Sequence, residues 1–340
     1  MTGKNDTRPA VSVVMSFSNE PLQWLKLAVE SILSQTFRDF EFIIVCDNPG
    51  FSEGIAYIEE VAKGDSRVIS IVNENNIGPT KSFNTAISIA RGRYIARMDA
   101  DDISVPERFE RQVRYLDTHQ QVSVCATDVH IINEKGEIIR RRKFRNKMNH
   151  DEMLLYNTVS HPSVMFRKSL TDMRNPIYNE DFIYSQDYEL WTFLLLNGCR
   201  IHTLEDTLLL YRKSRIQISS AKKAKQTELF KKAHKEFITT WMVSKGFIEK
   251  KDSEDMKLML QKCSSAFRQC EDDDRMWLTL IIYVLYLSIS TDEWVYRFKY
   301  LADTNLIAFR IKFILTFRLF FSRKTRRNRS GFIPEADQKQ

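Results

Sequence analysis

Four short runs of nearly unbroken apolar residues punctuate the first hundred positions: VSVVMSF (11–17), FEFIIVC (40–46), RVISIV (67–72) and RYIARM (93–98). Runs of this length, rich in Val and Ile and lacking polar alternation, predict strands buried on both faces. Between them the apolar period lengthens. Leu22, Leu25, Val29 and Ile32 recur at helical spacing after Asn19-Glu20-Pro21, where proline suits a first helical turn. Residues 52–63 predict a second helix. Phe83, Ala86, Ile87 and Ala90 mark the inner face of a third, with Gly92 as the expected left-handed stop. Such alternation predicts an α/β fold whose mainly parallel sheet is flanked by helices on both faces.

Past residue 100 the pattern turns mixed. Pro106 opens a helix with Phe109, Val113 and Leu116 on one face. Residues 121–140 read as two or three strands with a hairpin turn at Lys135-Gly136, 161–167 as a short strand, 187–196 as a helix and 200–212 as two more strands. The Lys/Ser-rich stretch 213–226 reads as a linker. The expected division is therefore an α/β domain over 1–215 and a helical, basic region over 216–340. No internal repeat is present.

Polar residues collect where the predicted parallel strands end, which is where open α/β sheets bind ligands. Ser16 to Asn19 follow the first strand, Asp47 the second, Asn73 to Lys81 the third and Asp99 to Asp102 the fourth. The last group is the most informative. Asp99, Asp101 and Asp102 put three carboxylates in four residues. One helix cap needs one oxygen, so the cluster reads either as a cap with spare solvated charge or as the seat of a hard divalent cation. Mg²⁺ or Mn²⁺ takes oxygen ligands and commonly combines one or two carboxylates with the phosphates of a substrate.

Composition changes this picture only at the chain's far end. Of the net charge of +7, eight Arg or Lys and no acid fall between Arg310 and Arg329, so the remainder is nearly neutral. That distribution argues against a nucleic-acid groove through the main domain. The stretch 305–329 mixes aromatic, aliphatic and basic residues. It reads as a core helix with a solvated basic end, or as peripheral attachment to an anionic inner membrane leaflet, which Arg140 to Lys147 could assist. The longest apolar run, 276–289, is short for a bilayer span and the N-terminus lacks a signal-peptide core. Five scattered cysteines (46, 125, 199, 263, 270) form no CxxC or Cys/His pattern and read as reduced cytoplasmic thiols.

The stretches VSVVMSFSNE, SILSQTFRDFEFIIVCDNPG, NNIGPTKSFNTAISIARGRYIARMDADDISVPERF, HPSVMFRKS and SQDYELWTFLLLNGCRIHTLEDTLLLYR, in this order over 11–212, resemble the family 2 glycosyltransferases of GT-A (Rossmann-like) fold. The resemblance is to the subgroup that builds bacterial capsule, O-antigen and exopolysaccharide chains. It implies transfer of a sugar from a nucleotide-sugar, expected to be a UDP-sugar, to a saccharide or lipid-linked acceptor by single displacement with inversion. Asp99-Ala100-Asp101 matches the DXD motif: Asp101 would bind the Mn²⁺ or Mg²⁺ that bridges the phosphates, and Asp99 would contact ribose or metal. Asp47 matches the aspartate that holds uracil or ribose. Ser16 and Asn19 lie in the first nucleotide loop, Phe17 stands in for an aromatic that stacks on the base, and Lys81 matches a basic position that reaches the nucleotide. Asp187 matches the general base, with Glu180 and Asp181 as nearby rivals and a helix cap as its alternative role. Gln186 stands where the family commonly has glutamate, and His161 is a weaker acceptor-side candidate. A nucleotidyltransferase shares a metal–nucleotide pocket on a parallel sheet but would want a Gly/Lys/Arg-rich phosphate loop, which MSFSNE is not. A membrane-surface protein with a degenerate site is the remaining reading.

Overall fold

The computed structural model describes residues 8–144, 147–148, 153, 157, 159–214, 217 and 222–244. The 276–289 run, the basic stretch 305–329 and most of the expected C-terminal region lie outside them. Among the described residues no helix is long and apolar enough to cross a membrane.

The first half follows the predicted alternation. β1 (Val11–Phe17), β2 (Phe40–Cys46), β3 (Val68–Val72) and β4 (Tyr94–Asp99) are joined by α1 (Leu22–Leu33), α2 (Ser52–Gly64) and α3 (Pro79–Ile89). β1 pairs in parallel with β2 and β4, and β2 with β3, giving the order β3-β2-β1-β4. Strand alternation divides the side chains between two layers. Val11, Val13, Met15 and Phe17 join Phe42, Ile44, Tyr94, Ala96 and Met98 in one core cluster with Leu25, Val29 and Ile32 of α1 and Ile58 of α2. The opposite parity, including Val14, Ile43, Val45 and Ile95, is equally buried on the face where α3 packs on β1 and β2. Continuous apolar runs are thus the direct result of cover on both sides.

Gly92 differs from expectation. α3 ends at Ile89 on an extended Ala90, and Gly92 is not in the left-handed region. Glycine is needed there because the chain passes against β1: a Cβ on Gly92 would lie 2.4 Å from the Ser12 backbone nitrogen. The Gly92 N–H donates to Ser12 Oγ (2.7 Å), whose hydroxyl donates to the buried Glu41 (2.6 Å). Gly92→Ala should therefore cost about 1–3 kcal/mol of stability, the usual scale of overpacking against fixed backbone. Urea unfolding checks this; an unchanged midpoint would refute it.

The second half is mixed. After the acidic turn come β5 (Ile103–Ser104), α4 (Arg108–Thr118), β6 (Val124–Ile132), β7 (Ile138–Arg142), β8 (Lys147–Met148), β9 (Met165–Arg167), α5 (Gln186–Leu196), β10 (Ile201–Arg212) and α6 (Lys223–Ser244). β9 runs antiparallel between β4 and β6, β6 and β10 are parallel, and β5 closes the edge antiparallel to β10. Residues 200–212 form one strand rather than the expected two. The polar Glu205-Asp206 step lies between the paired positions Leu204 and Thr207, where the register shifts, so a bulge carries it without ending the ladder. His161–Ser163 form a 3-10 turn and only Met165–Arg167 continue as strand. The end of the expected 213–226 linker is already helical, because α6 starts at Lys223 and packs on α5.

Candidate active site

The carboxyl ends of β1, β2 and β4 open into a cleft of about 830 Å³. Ser16 pairs with Asp99 across β1 and β4, which sets the first loop beside the acidic turn. Asp99, Asp101 and Asp102 each place a carboxylate oxygen within 4.8 Å of the others. Their roles nevertheless diverge. Asp99 Oδ1 lies 2.7 Å from Arg97 Nη1. Asp101 accepts from Gln217 Nε2 (3.1 Å), and burial together with the charge of Asp99 pushes its carboxyl up to about 7. Asp102 is fully buried and accepts from the Arg212 backbone N–H (2.8 Å), so it works as an anchor of the turn. Burial raises its pKa well above the carboxylate range, with Asp101 and Asp99 adding to the shift.

Two other residues hold this turn. Arg212 Nε donates to the Asp101 carbonyl (2.7 Å), and its Nη1 donates to the carbonyls of Asn133 and Glu134. Gln35, wholly buried, donates to Ser104 Oγ (3.1 Å) and the Val105 carbonyl (2.8 Å) and accepts from the Phe109 N–H (3.1 Å). Glu20, missed in the sequence, brings another acid to the cleft beside Asp99. It accepts from the Ser18 and Asn19 N–H groups and, through burial with a contribution from Asp99, has a raised pKa. An all-oxygen donor set with partly uncompensated charge fits a hard cation, and Asp99 and Asp101 are the members that face the cleft.

The expected nucleotide-side residues divide. Ser16, Phe17, Asn19 and Asp47 line the cleft; Lys81 does not. Asp47 is 2% exposed, and its carboxylate accepts from Asn73 Nδ2 (2.9 Å), the Ile77 N–H (2.9 Å) and the Gly78 N–H (2.8 Å). It bolts down the loop after β3, and Gly78 at φ +89° lets that loop turn into α3. A carboxylate has about four acceptor positions, so roughly one remains for a ligand. Phe17 is buried with its ring edge-on to Phe51 at 6.0 Å, within the core cluster. Half-exposed aromatics on the cleft wall are Trp24, Tyr184 and Tyr211, and the Arg212 guanidinium lies 4.9 Å from the Trp24 ring centre. Lys81 faces Glu180 at 3.8 Å.

Asp187, Gln186 and His161 all line the cleft as well, whereas Glu180 and Asp181 do not. Asp187 is at the start of α5, where its first-turn position suits the helix dipole. Asn157 Nδ2 donates to its Oδ2 at 2.6 Å. Burial raises its pKa against the pull of backbone N–H groups, Arg97 and Asn157. His161 is buried, its Nε2 2.8 Å from the Tyr178 hydroxyl, and burial with the nearby Arg97 charge drives its pKa well below 6.5. It is a neutral wall of the cleft at ordinary pH. Gln186 Oε1 is buried with no hydrogen-bond partner. Asn157 escaped sequence reading because nothing local marks a residue that acts 30 positions away.

The profile described as "Glycosyl transferase family 2" matches residues 12–174. A chain of Methanocaldococcus jannaschii named an uncharacterized glycosyltransferase is 39% identical over 215 residues, 62% of this chain and 73% of that one. The chain belongs to glycosyltransferase family 2. A second member, the O-antigen biosynthesis glycosyltransferase WbnJ of Escherichia coli, is 32% identical over 207 residues, 59% of this chain and 79% of the relative. The S. aureus TarS 1–349 crystal structure in complex with UDP superposes with a TM-score of 0.54 at 18% identity, over 87% of this chain and 75% of TarS, and shows the shared GT-A fold. As a family 2 glycosyltransferase the chain is an enzyme.

Proposed function

We propose that this glycosyltransferase moves a sugar from a UDP-sugar to a saccharide or lipid-linked acceptor in surface polysaccharide synthesis, by single displacement with inversion. Relatives support the pathway: one is named for O-antigen biosynthesis, and another, from Erwinia amylovora and 30% identical, for amylovoran biosynthesis. TarS structures with UDP and with UDP-GlcNAc support the donor class. The observation that carries the reading is the pairing of two kinds of acid in one cleft. The carboxylate cluster and a separate carboxylate, Asp187, line the same cleft, and the charges of Asp99 and Asp187 both act on Arg97.

In this reading Asp187 accepts the proton of the attacking acceptor hydroxyl, and Asn157 fixes which carboxylate oxygen is free to do so. Asp47 holds the loop that covers the nucleoside, and Ser16, Asn19 and Trp24 line its seat. Asp99 and Asp101 would hold Mn²⁺ or Mg²⁺, which when bound supplies Lewis-acid stabilisation of the departing diphosphate. Neutral His161 and the apolar wall around it exclude water, favouring transfer over donor hydrolysis. The basic, aromatic stretch 305–329 supports a location on the inner membrane face, where lipid-linked acceptors lie.

The test is a thermal-stability and UDP-release screen of the purified chain with manganese, UDP and a panel of nucleotide-sugars. Stabilisation by UDP and turnover of at least one UDP-sugar are expected. Stabilisation only by non-uridine nucleotides would overturn the donor assignment.

A further inference from the structure

Among the described residues three arginines are buried, Arg97 at 5%, Arg108 at 0% and Arg212 at 1% exposure, and two of them have evident structural work. Arg108 donates to Gln112 Oε1 and to the carbonyls of Arg97 and Val164. Arg212 binds three carbonyls around the acidic turn. Arg97 has no such role. Its guanidinium carbon lies 4.4 Å from the Phe83 ring centre and its Nη1 is ion-paired with Asp99 Oδ1 at 2.7 Å, while the buried Nε has no hydrogen-bond acceptor. Burying unmet guanidinium donors is costly unless something later satisfies them.

Its placement follows from strand geometry. In β4 the residues Tyr94, Ala96 and Met98 point into the core cluster, so Arg97 and Asp99 share the other face, one pleat apart. α3 covers that face lower down, and at the carboxyl end of β4 Arg97 and Asp99 emerge from it to line the cleft. The Arg97 charge is felt by Asp99, Asp187 and His161. Whatever spans the gap between the diphosphate-side carboxylates and the base is the sugar under transfer. Sugar oxygens accept hydrogen bonds, and a guanidinium only donates them.

We propose that Arg97 is a donor-specificity residue whose guanidinium, ion-paired with Asp99 through Nη1, donates its remaining N–H groups to the oxygens of the transferred sugar between Asp99 and Asp187. This rests on the UDP-sugar reading above. The flanking carboxylates already balance its charge, so the subsite suits a neutral sugar, bound through directed hydrogen bonds. The Phe83 and Asp99 contacts hold the fork in place before the donor arrives, which lowers the ordering cost of binding. Lysine at this position would keep a charge beside Asp99 but lose the planar fork.

The experiment compares wild type, Arg97→Lys and Arg97→Met by calorimetry with manganese, using UDP, UDP-glucose, UDP-galactose and the corresponding UDP-N-acetylhexosamines. Circular dichroism melts confirm folding, and the lysine variant serves if the methionine variant does not fold. The ratio of UDP-sugar to UDP dissociation constants should rise about tenfold or more for the sugar that wild type binds best, while UDP affinity stays within about threefold. An unchanged ratio in a folded variant overturns the proposal. So does a parallel loss of UDP and UDP-sugar affinity, which would mean that Arg97 serves only to hold Asp99. A wild type that binds neither UDP nor any UDP-sugar would instead bring down the donor reading on which the proposal stands.

Discussion

Asp187→Asn should leave UDP binding essentially intact and cut kcat for transfer by roughly 10²–10⁴-fold, the typical worth of a positioned general base. The replacement is nearly isosteric. Its carbonyl can still accept from Asn157 Nδ2, which donates to Asp187 at 2.6 Å, so the start of α5 should stay in place. What is lost is the capacity to take a proton. The raised pKa of Asp187, caused first by burial, makes it a stronger base than a free carboxylate, while the pull of the backbone and Arg97 limits the shift. Initial-rate kinetics on the donor identified by the screen, alongside UDP calorimetry, separate the two effects. A variant with full activity would put the base elsewhere, although the acids nearby in sequence, Glu180, Asp181 and the Arg174-paired Glu189, lie off the cleft lining.

Asp101→Ala should abolish manganese-dependent UDP binding and, in the same protein without metal, raise thermal stability. The opposite signs have one cause. Burial first, and then the charges of Asp99 and Glu20, push the Asp101 carboxyl up to about 7, so its charge is unwelcome when no cation balances it. Removing one of several like charges relieves repulsion on the order of 1–2 kcal/mol, or a few degrees in Tm. Functional sites commonly sacrifice stability in this way. Calorimetry with UDP and Mn²⁺, and melting curves at pH 8 with chelator, read the two arms. Undiminished UDP binding would refute the metal-site assignment.

Much of the fold was legible because β1 to β4 are covered on both faces and so appear as unbroken apolar runs. Period and length then distinguish strand from helix without tertiary knowledge. The misreadings share a physical character: each depends on a partner far along the chain. β10 looked like two strands because Glu205-Asp206 interrupts its apolar pattern, but pairing with β6 absorbs the bulge. Gly92 looked like a helix stop because its real constraint is the backbone of Ser12, 80 residues away. Phe17 was expected to stack on a base; it lines the cleft, but β1 alternation also packs its ring edge-on to Phe51 in the core.

The site was legible in its acids and not in its supports. Asp99, Asp101 and Asp187 stand out by type and position at element ends, and all line one cleft. Lys81 was read as reaching toward the nucleotide, yet a solvent-facing lysine is free to choose its neighbour and faces Glu180. Arg97 was hidden inside RYIARM, where a single cation looks like a tolerated interruption. Period-two counting back from Asp99 would have put both on the same face.

The hold of Arg212 on the acidic turn bears on where this enzyme could be cut. The stretch matched by the family profile stops at residue 174, before Asp187 and well before the arginine that grips the Asp101 carbonyl from the last strand. An excised fragment ending there would carry all three aspartates of the turn yet lack the arginine that grips it, so the length that identifies the family is shorter than the length that holds its acidic turn together.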